Sequence, residues 1–295
     1  MTRRGLLLFA AMCVIWGVPY YFIRIAVSEL TPATLVFLRT GGAVLILLPL
    51  AIARGGLRAL LPRWLPVLAF ALVEIGLPWF LLASAEERLS SSLTGLLIAA
   101  VPLVGVLISL RLANRETFGG SGIAGLLLGL AGVAAIVGLD LHATSVLALA
   151  EVGGVAVCYA LGPAILSRYL ADLPAVAVIA VSLTLCCAVY APVAAFQLPA
   201  ALPRSGVVAS VVVLALVCTA LAFLLFFALI AEVGPVRATV ITYVNPAVAA
   251  VLGVAALGER FTAGMGVGFA LVLVGSALAT RRRSEAPAGA ELEYS

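Results

Sequence analysis

The chain has 295 residues, 64% hydrophobic and 10% charged, with a formal net charge of +4; a soluble domain carries roughly 25% charged residues. All 17 basic residues are arginine and His142 is the single histidine, which excludes a phosphate-loop or Schiff-base lysine, histidine-pair metal sites and most acid–base triads. Apolar runs of about 20 residues recur, each long enough to cross roughly 30 Å of hydrocarbon as a helix, and nothing alternates as the strands of a transmembrane barrel must.

Hydropathy predicts an all-α membrane protein of ten transmembrane helices. The first, 5–27, is too long for a signal-peptide core and carries Trp16, Gly17, Pro19 and Tyr20. The turn Ser28-Glu29-Leu30-Thr31-Pro32 leads into 32–53, with Arg39 and Pro49. Trp64 flanks 65–85 at an interface, and that helix holds Glu74, Pro78, Trp79 and Phe80. Next come 91–112, with Pro102, and, after Asn114-Arg115-Glu116-Thr117, 119–138, with Gly125, Gly129 and Gly132. The helix at 146–167 has Glu151 near its start, then Tyr159 and Pro163. Those at 174–196 and 206–230 precede 235–256, with Tyr243, Asn245 and Pro246, and 263–280, with Gly264, Gly268 and Gly275. The polar tail 284–295 is expected to be disordered. No connection could hold a soluble domain. The five cysteines fall in apolar runs without CxxC spacing and read as buried small hydrophobes.

Orientation follows from arginine. Twelve arginines fall on the side of the N-terminus and only Arg24, Arg88, Arg204 and Arg260 on the other. That bias places both termini in the cytoplasm, which requires an even number of helices. The charge reports topology and membrane lipid rather than nucleic acid. A shift of about 143 or 144 residues aligns Pro19 with Pro163, Arg24 with Arg168, Pro102 with Pro246, Glu116 with Glu259, Gly125 with Gly268 and Gly132 with Gly275. The expected units are therefore 1–143 and 144–283, each of five helices. Five is odd, so the second enters the membrane from the opposite side, as in transporters whose site lies between inverted repeats.

Glu74 is the sharpest single signal, because a carboxylate at the middle of a span costs several kcal/mol unless it is neutral or paired. It reads as a binder of a substrate amine or a proton, or as the partner of Arg39. Arg39 itself could snorkel, pair with Glu74 or face a substrate carboxylate. Pro19, Pro78, Pro102, Pro163 and Pro246 each free a carbonyl and permit a bend, as hinges or as static kinks. Trp16 and Tyr20, four residues apart, share one face of an ideal helix. With Trp79, Phe80, Tyr159 and Tyr243 they would line a pocket for flat or hydrophobic substrates, or serve in ordinary packing. Asn245 is an uncharged polar group at membrane depth. The glycine stripes predict close helix packing within the chain, with self-association into a dimer as the alternative. No metal or cofactor is expected, and no nucleophile or base set marks an enzyme.

Trp16-Gly17 with Pro19, Leu35-Val36-Phe37-Leu38-Arg39, Asn245-Pro246 and the Gly258-Glu259-Arg260-Phe261 turn resemble the EamA type of the drug/metabolite transporter superfamily over about 5–280. Within it the chain is most similar to YddG-type exporters of aromatic amino acids and methyl viologen. The resemblance implies a monomeric exporter of amino acids or similar metabolites in a bacterial inner membrane. It also implies a cavity between helices 1, 3 and 4 and their repeat partners 6, 8 and 9, with helices 5 and 10 as a peripheral support. A membrane-embedded enzyme and a non-transporting receptor or channel are the alternatives.

Overall fold

The computed structural model describes residues 2–112, 120–138, 145–238 and 240–280. His142, Arg115, Glu116, Arg281, Arg282, Arg283 and the tail 284–295 lie outside them. The described residues form helices joined by short turns, with no strand. We number the spans α1 (Arg3–Ala26), α2 (Pro32–Arg54), α3 (Leu57–Glu86), α4 (Ser91–Ile98 continued by Val101–Leu112) and α5 (Gly120–Val137). The second set is α6 (Val146–Leu170), α7 (Ala175–Gln197), α8 (Ser205–Val233), α9 (Pro235–Ala238 continued by Ile241–Leu257) and α10 (Ala263–Ala279). Seven continuous apolar helices of 18 to 30 residues, with three shorter ones, make up the ten-helix bundle.

Local chemistry sets the ends. The hydroxyls of Thr2, Thr31, Ser90, Ser145 and Thr262 accept from the main-chain N–H three residues on, satisfying a donor that each helix start leaves free. Gly258 (φ 66°) closes α9 in the left-handed conformation, where a side chain would be strained. Three bounds differ from the sequence reading by three residues or more, one of them the end of α6 at Leu170 rather than 167. α3 begins at Leu57 with a tight 3-10 turn rather than at 65, and α8 continues to Val233 rather than 230. The break in α1 at Trp16–Val18, where Gly17 N–H bonds Val14 carbonyl three residues back, comes just before Pro19. A similar break in α4 precedes Pro102.

Packing obeys the repeat. α2 lies along α7, α4 along α9 and α5 along α10, while α1 packs on α8 and α3 on α6. Exchanging α1–α5 for α6–α10 maps this set of neighbours onto itself, because α1 on α8 becomes α6 on α3. The α5–α10 seam runs backbone against backbone. A Cβ on Gly268 would come within 2.5 Å of Gly132 carbonyl, and one on Gly125 within 2.5 Å of Ala279 N and 2.7 Å of Gly275 carbonyl. The glycine stripes therefore serve packing within the chain.

Repeat-related α3 and α8 share a further feature, a wide turn at mid-span. Leu77 N–H bonds Leu72 carbonyl and Ala222 N–H bonds Val217 carbonyl, each five residues back. Such turns leave carbonyls for side chains to satisfy. In α3, α7 supplies them: Cys186 Sγ donates to Ala71 carbonyl (3.1 Å) and the Tyr190 hydroxyl to Gly76 carbonyl (3.0 Å). In α8 the Thr219 hydroxyl donates to Leu214 carbonyl (2.8 Å).

Candidate functional site

The wide turns bring polar groups to the centre of the bundle. Arg39 of α2 is only 6% exposed. Its Nε donates to Thr219 Oγ1 on the α8 turn (3.0 Å), and its guanidinium carbon lies over the Trp79 ring, 3.6 Å from the centroid. This pairs the charge with a π-face in a place where water does not reach. The Trp79 indole N–H faces the Tyr159 hydroxyl of α6, and Tyr20 of α1 completes the cluster. Tyr20 and Trp79 are each 7% exposed, so the site is closed.

Glu74 belongs to the same region but is not paired with Arg39. It stands on the α3 wide turn, and its carboxylate lies against the backbone of Gly162 on α6, where a Cβ would overlap it. Its Oε2 is sealed from solvent and has no hydrogen-bond partner. Tyr159 lies within electrostatic reach of both Arg39 and Glu74. The alternative reading of Glu74 as the ion-pair partner of Arg39 is thus not what the structure contains. A guanidinium and a carboxyl group flank one tyrosine without bonding each other.

Other predicted residues are dispersed. Trp16 and Tyr20 meet different neighbours. Trp16 packs on Phe223 and Phe226 of α8 (centroids 6.0 and 4.7 Å), whereas Tyr20 faces Arg39. Phe80 stacks on Tyr190 (6.0 Å). Asn245 is buried on α9 and, with its amide nitrogen turned inward, donates to Cys13 carbonyl (2.9 Å) and Ile241 carbonyl (3.0 Å). Gly17 N–H bonds Val14 rather than Cys13, so the break in α1 leaves the Cys13 carbonyl for Asn245. Gly17 is needed there, since a Cβ would meet Val248 at 2.5 Å. Tyr243 is half-buried and stands apart from the Arg39 cluster. Pro78 follows the α3 wide turn and Pro163 lies just before the α6 wide turn at Leu166–Leu170, while Pro246 sits inside a continuous helix.

Glu74 is not the only carboxyl group at depth. Glu86, at the end of α3, is fully buried. Glu259, in the turn before α10, reaches the start of α4, where it accepts from Ser91 N–H (2.8 Å), Ser92 N–H (2.8 Å) and Ser92 Oγ (2.5 Å). On the face opposite the N-terminus, a cavity of about 660 Å³ is lined by Arg24, Ser28, Arg88, Ser90, Arg204 and Glu259. A smaller one of about 260 Å³ opens at the N-terminal face between Arg54, Gly56 and Pro174.

Ion pairs hold the helix ends. At the opposite face, Arg204, leading α8, pairs with Glu29 after α1, and Arg88 bonds Glu151 of α6 (2.9 Å). Ser84 Oγ also donates to Glu151 (2.7 Å). At the N-terminal face Arg63 pairs with Asp172 and donates to Tyr169 carbonyl (2.7 Å), and the Thr2 hydroxyl bonds Glu232. The hydrogen bond from Arg204 holds the Glu29 carboxyl below the usual carboxylate range, and that from Arg63 does the same for Asp172.

Comparison with known proteins agrees with this architecture. The description "EamA-like transporter family" matches residues 3–138 and again 149–281, one match for each five-helix unit. A solved crystal structure aligns with a TM-score of 0.66 at 22% identity, covering 95% of this chain and 97% of the other, which supports the fold alone. No curated protein sequence matches the chain.

Proposed function

The chain belongs to the EamA-like transporter family, and we propose that it carries zwitterionic metabolites, foremost amino acids with hydrophobic or aromatic side chains, by alternating access. The observation that supports this cargo is the guanidinium and the carboxyl group that flank Tyr159 without pairing with each other. The buried guanidinium of Arg39 would take a carboxylate, the unpartnered Oε2 of Glu74 would face an amine, and Trp79, Tyr20 and Tyr159 would meet an apolar or aromatic side chain. A site that supplies both charges selects the zwitterion over either singly charged analogue, because the missing group would leave a buried charge unpaired.

Alternating access is supported by the closed central cluster with a larger cavity above it at one face and a smaller one at the other. The repeat symmetry would make inward-open and outward-open forms related conformations of one fold. The arginine bias favours both termini cytoplasmic, so that the larger cavity faces outward, and the family resemblance favours a bacterial inner membrane. Transport in either direction uses the same site, and the family resemblance favours export. Counterflow in proteoliposomes with a panel of radiolabelled amino acids tests the reading. Saturable exchange of leucine, phenylalanine or tryptophan is expected, and no exchange of any amino acid would overturn the cargo class.

A further inference from the structure

Nothing described above uses Glu86. It ends α3, is 0% exposed, and neither of its carboxyl oxygens has a hydrogen-bond partner. An unpaired carboxylate in such a place costs several kcal/mol. Packing alone would be better served by leucine or methionine at that position.

The charged and titratable groups around it are Glu259 from the turn before α10, Arg24 and Tyr20 from α1, and Arg39 from α2. Each is directed elsewhere. The Arg24 guanidinium donates to the main-chain carbonyl of Glu86, not to its carboxyl group. Glu259 is held by the two N–H groups that start α4 and by Ser92. Arg39 rests on Trp79 and Thr219. A carboxyl group therefore sits among two cations and an anion that make no bond to it. On one side of it Arg24, Leu89, Ser90 and Glu259 line the 660 Å³ cavity. On the other lies the Arg39 cluster.

We propose that Glu86 is a proton-binding site of the transport cycle, loaded from the large cavity and sensed by Arg39. The step adds one proton from water to a carboxylate oxygen and returns it to water; no other bond changes. With the proton bound, Glu86 is neutral and Arg39 keeps its charge for the cargo. With the proton gone, the Glu86 carboxylate is a counter-charge for Arg39 and draws the guanidinium from Trp79 and Thr219. A cargo carboxylate on Arg39 and a proton on Glu86 therefore favour each other, and the two cross the membrane in the same direction. An inward proton gradient then drives uptake, and net export needs an outward cargo gradient that exceeds it. This rests on the amino-acid reading of the Arg39 site, but the proton itself does not.

Two measurements separate the claims. Infrared difference titration of purified Glu74→Gln, without cargo, should show a carboxylic-acid C=O band that responds to pH and disappears when Glu86→Gln is added. Persistence of that band in the double variant overturns the site, whatever the protein transports. Should Glu86→Gln not fold, Glu86→Asp must move the midpoint of that band, and an unmoved midpoint overturns it equally. In proteoliposomes, an imposed proton gradient should accelerate amino-acid movement in its own direction at least tenfold in the wild type. Glu86→Gln should keep counterflow and lose that acceleration. A wild type indifferent to the proton gradient, or driven by a sodium gradient instead, overturns the coupling. Failure of wild-type counterflow for every amino acid overturns the cargo reading, while the infrared result still decides Glu86.

Discussion

Replacing Arg39 by glutamine removes the buried charge and keeps a side chain of similar reach. In the protein Arg39 has one hydrogen bond, to Thr219, and one π-contact, to Trp79. Thr219 retains its bond to Leu214, so the α8 wide turn should persist in the variant. What disappears is a charge-assisted partner for a carboxylate in a closed site, worth about 1.5–3 kcal/mol. That corresponds to roughly 10- to 150-fold in affinity. The assay is the half-saturation concentration in counterflow for a free amino acid and for the same amino acid as its amide. Wild type should prefer the free acid by about that factor, and Arg39→Gln should bind both equally weakly. A preference for the free acid that survives in Arg39→Gln would refute the assignment, whatever happens to the absolute rate.

Glu259→Ala leaves two buried N–H groups at the start of α4 without an acceptor; at about 1–3 kcal/mol each, the inactivation half-life of the detergent-purified protein should fall at least tenfold at a fixed temperature. Gly268→Leu forces the α5–α10 seam apart, where a Cβ already lies 2.5 Å from Gly132 carbonyl. Its cost of about 1–3 kcal/mol should appear as faster thermal inactivation, with the half-saturation for cargo unchanged. The lowered pKa of Glu29 means that its contact with Arg204 contributes stability above the usual carboxylate range and loses it as pH falls through the folded value. Wild type and Glu29→Gln should therefore differ in inactivation rate at neutral pH and converge below about pH 4.

The bundle was legible because its signals are additive over long stretches. Twenty apolar residues in a row, an arginine bias and a shifted pattern of prolines survive the misreading of any one position. The packing of the glycine stripes was legible for the same reason, since Gly125, Gly129 and Gly132 repeat with helical spacing. The neighbours of Trp16 and Tyr20 are not legible, because Phe223 and Phe226 of α8 and Arg39 of α2 come to them from helices elsewhere in the chain. Glu86 escaped notice beside Glu87 and Arg88, a composition that belongs to a surface turn; its burial is created by α1 and by the turn before α10. Nothing in the sequence separates it from the exposed Glu87. Asn245 was found as a polar group at depth, but its contact with a freed carbonyl of α1 requires the break to be known first.

The repeats are continuous in sequence but not the natural mechanical halves. α3 is joined to α6 at one end by Arg63 with Asp172 and at the other by Ser84 and Arg88 with Glu151. α8 is joined to α1 by Glu232 with Thr2 at one end and by Arg204 with Glu29 at the other. The two clamped pairs are related by the same exchange of repeats that relates the rest of the packing, and each contains one helix from each repeat. Single exposed ion pairs stabilise little; a polar contact at each end, ion pairs at both ends of α3–α6 and an ion pair with a hydroxyl–carboxylate bond on α1–α8, opposes sliding and splaying of that antiparallel pair. Arg39 bonds α8 through Thr219 and covers α3 through Trp79, so it stands where the two clamped pairs meet. Displacing its guanidinium loosens the contact between the pairs without touching the clamps within them.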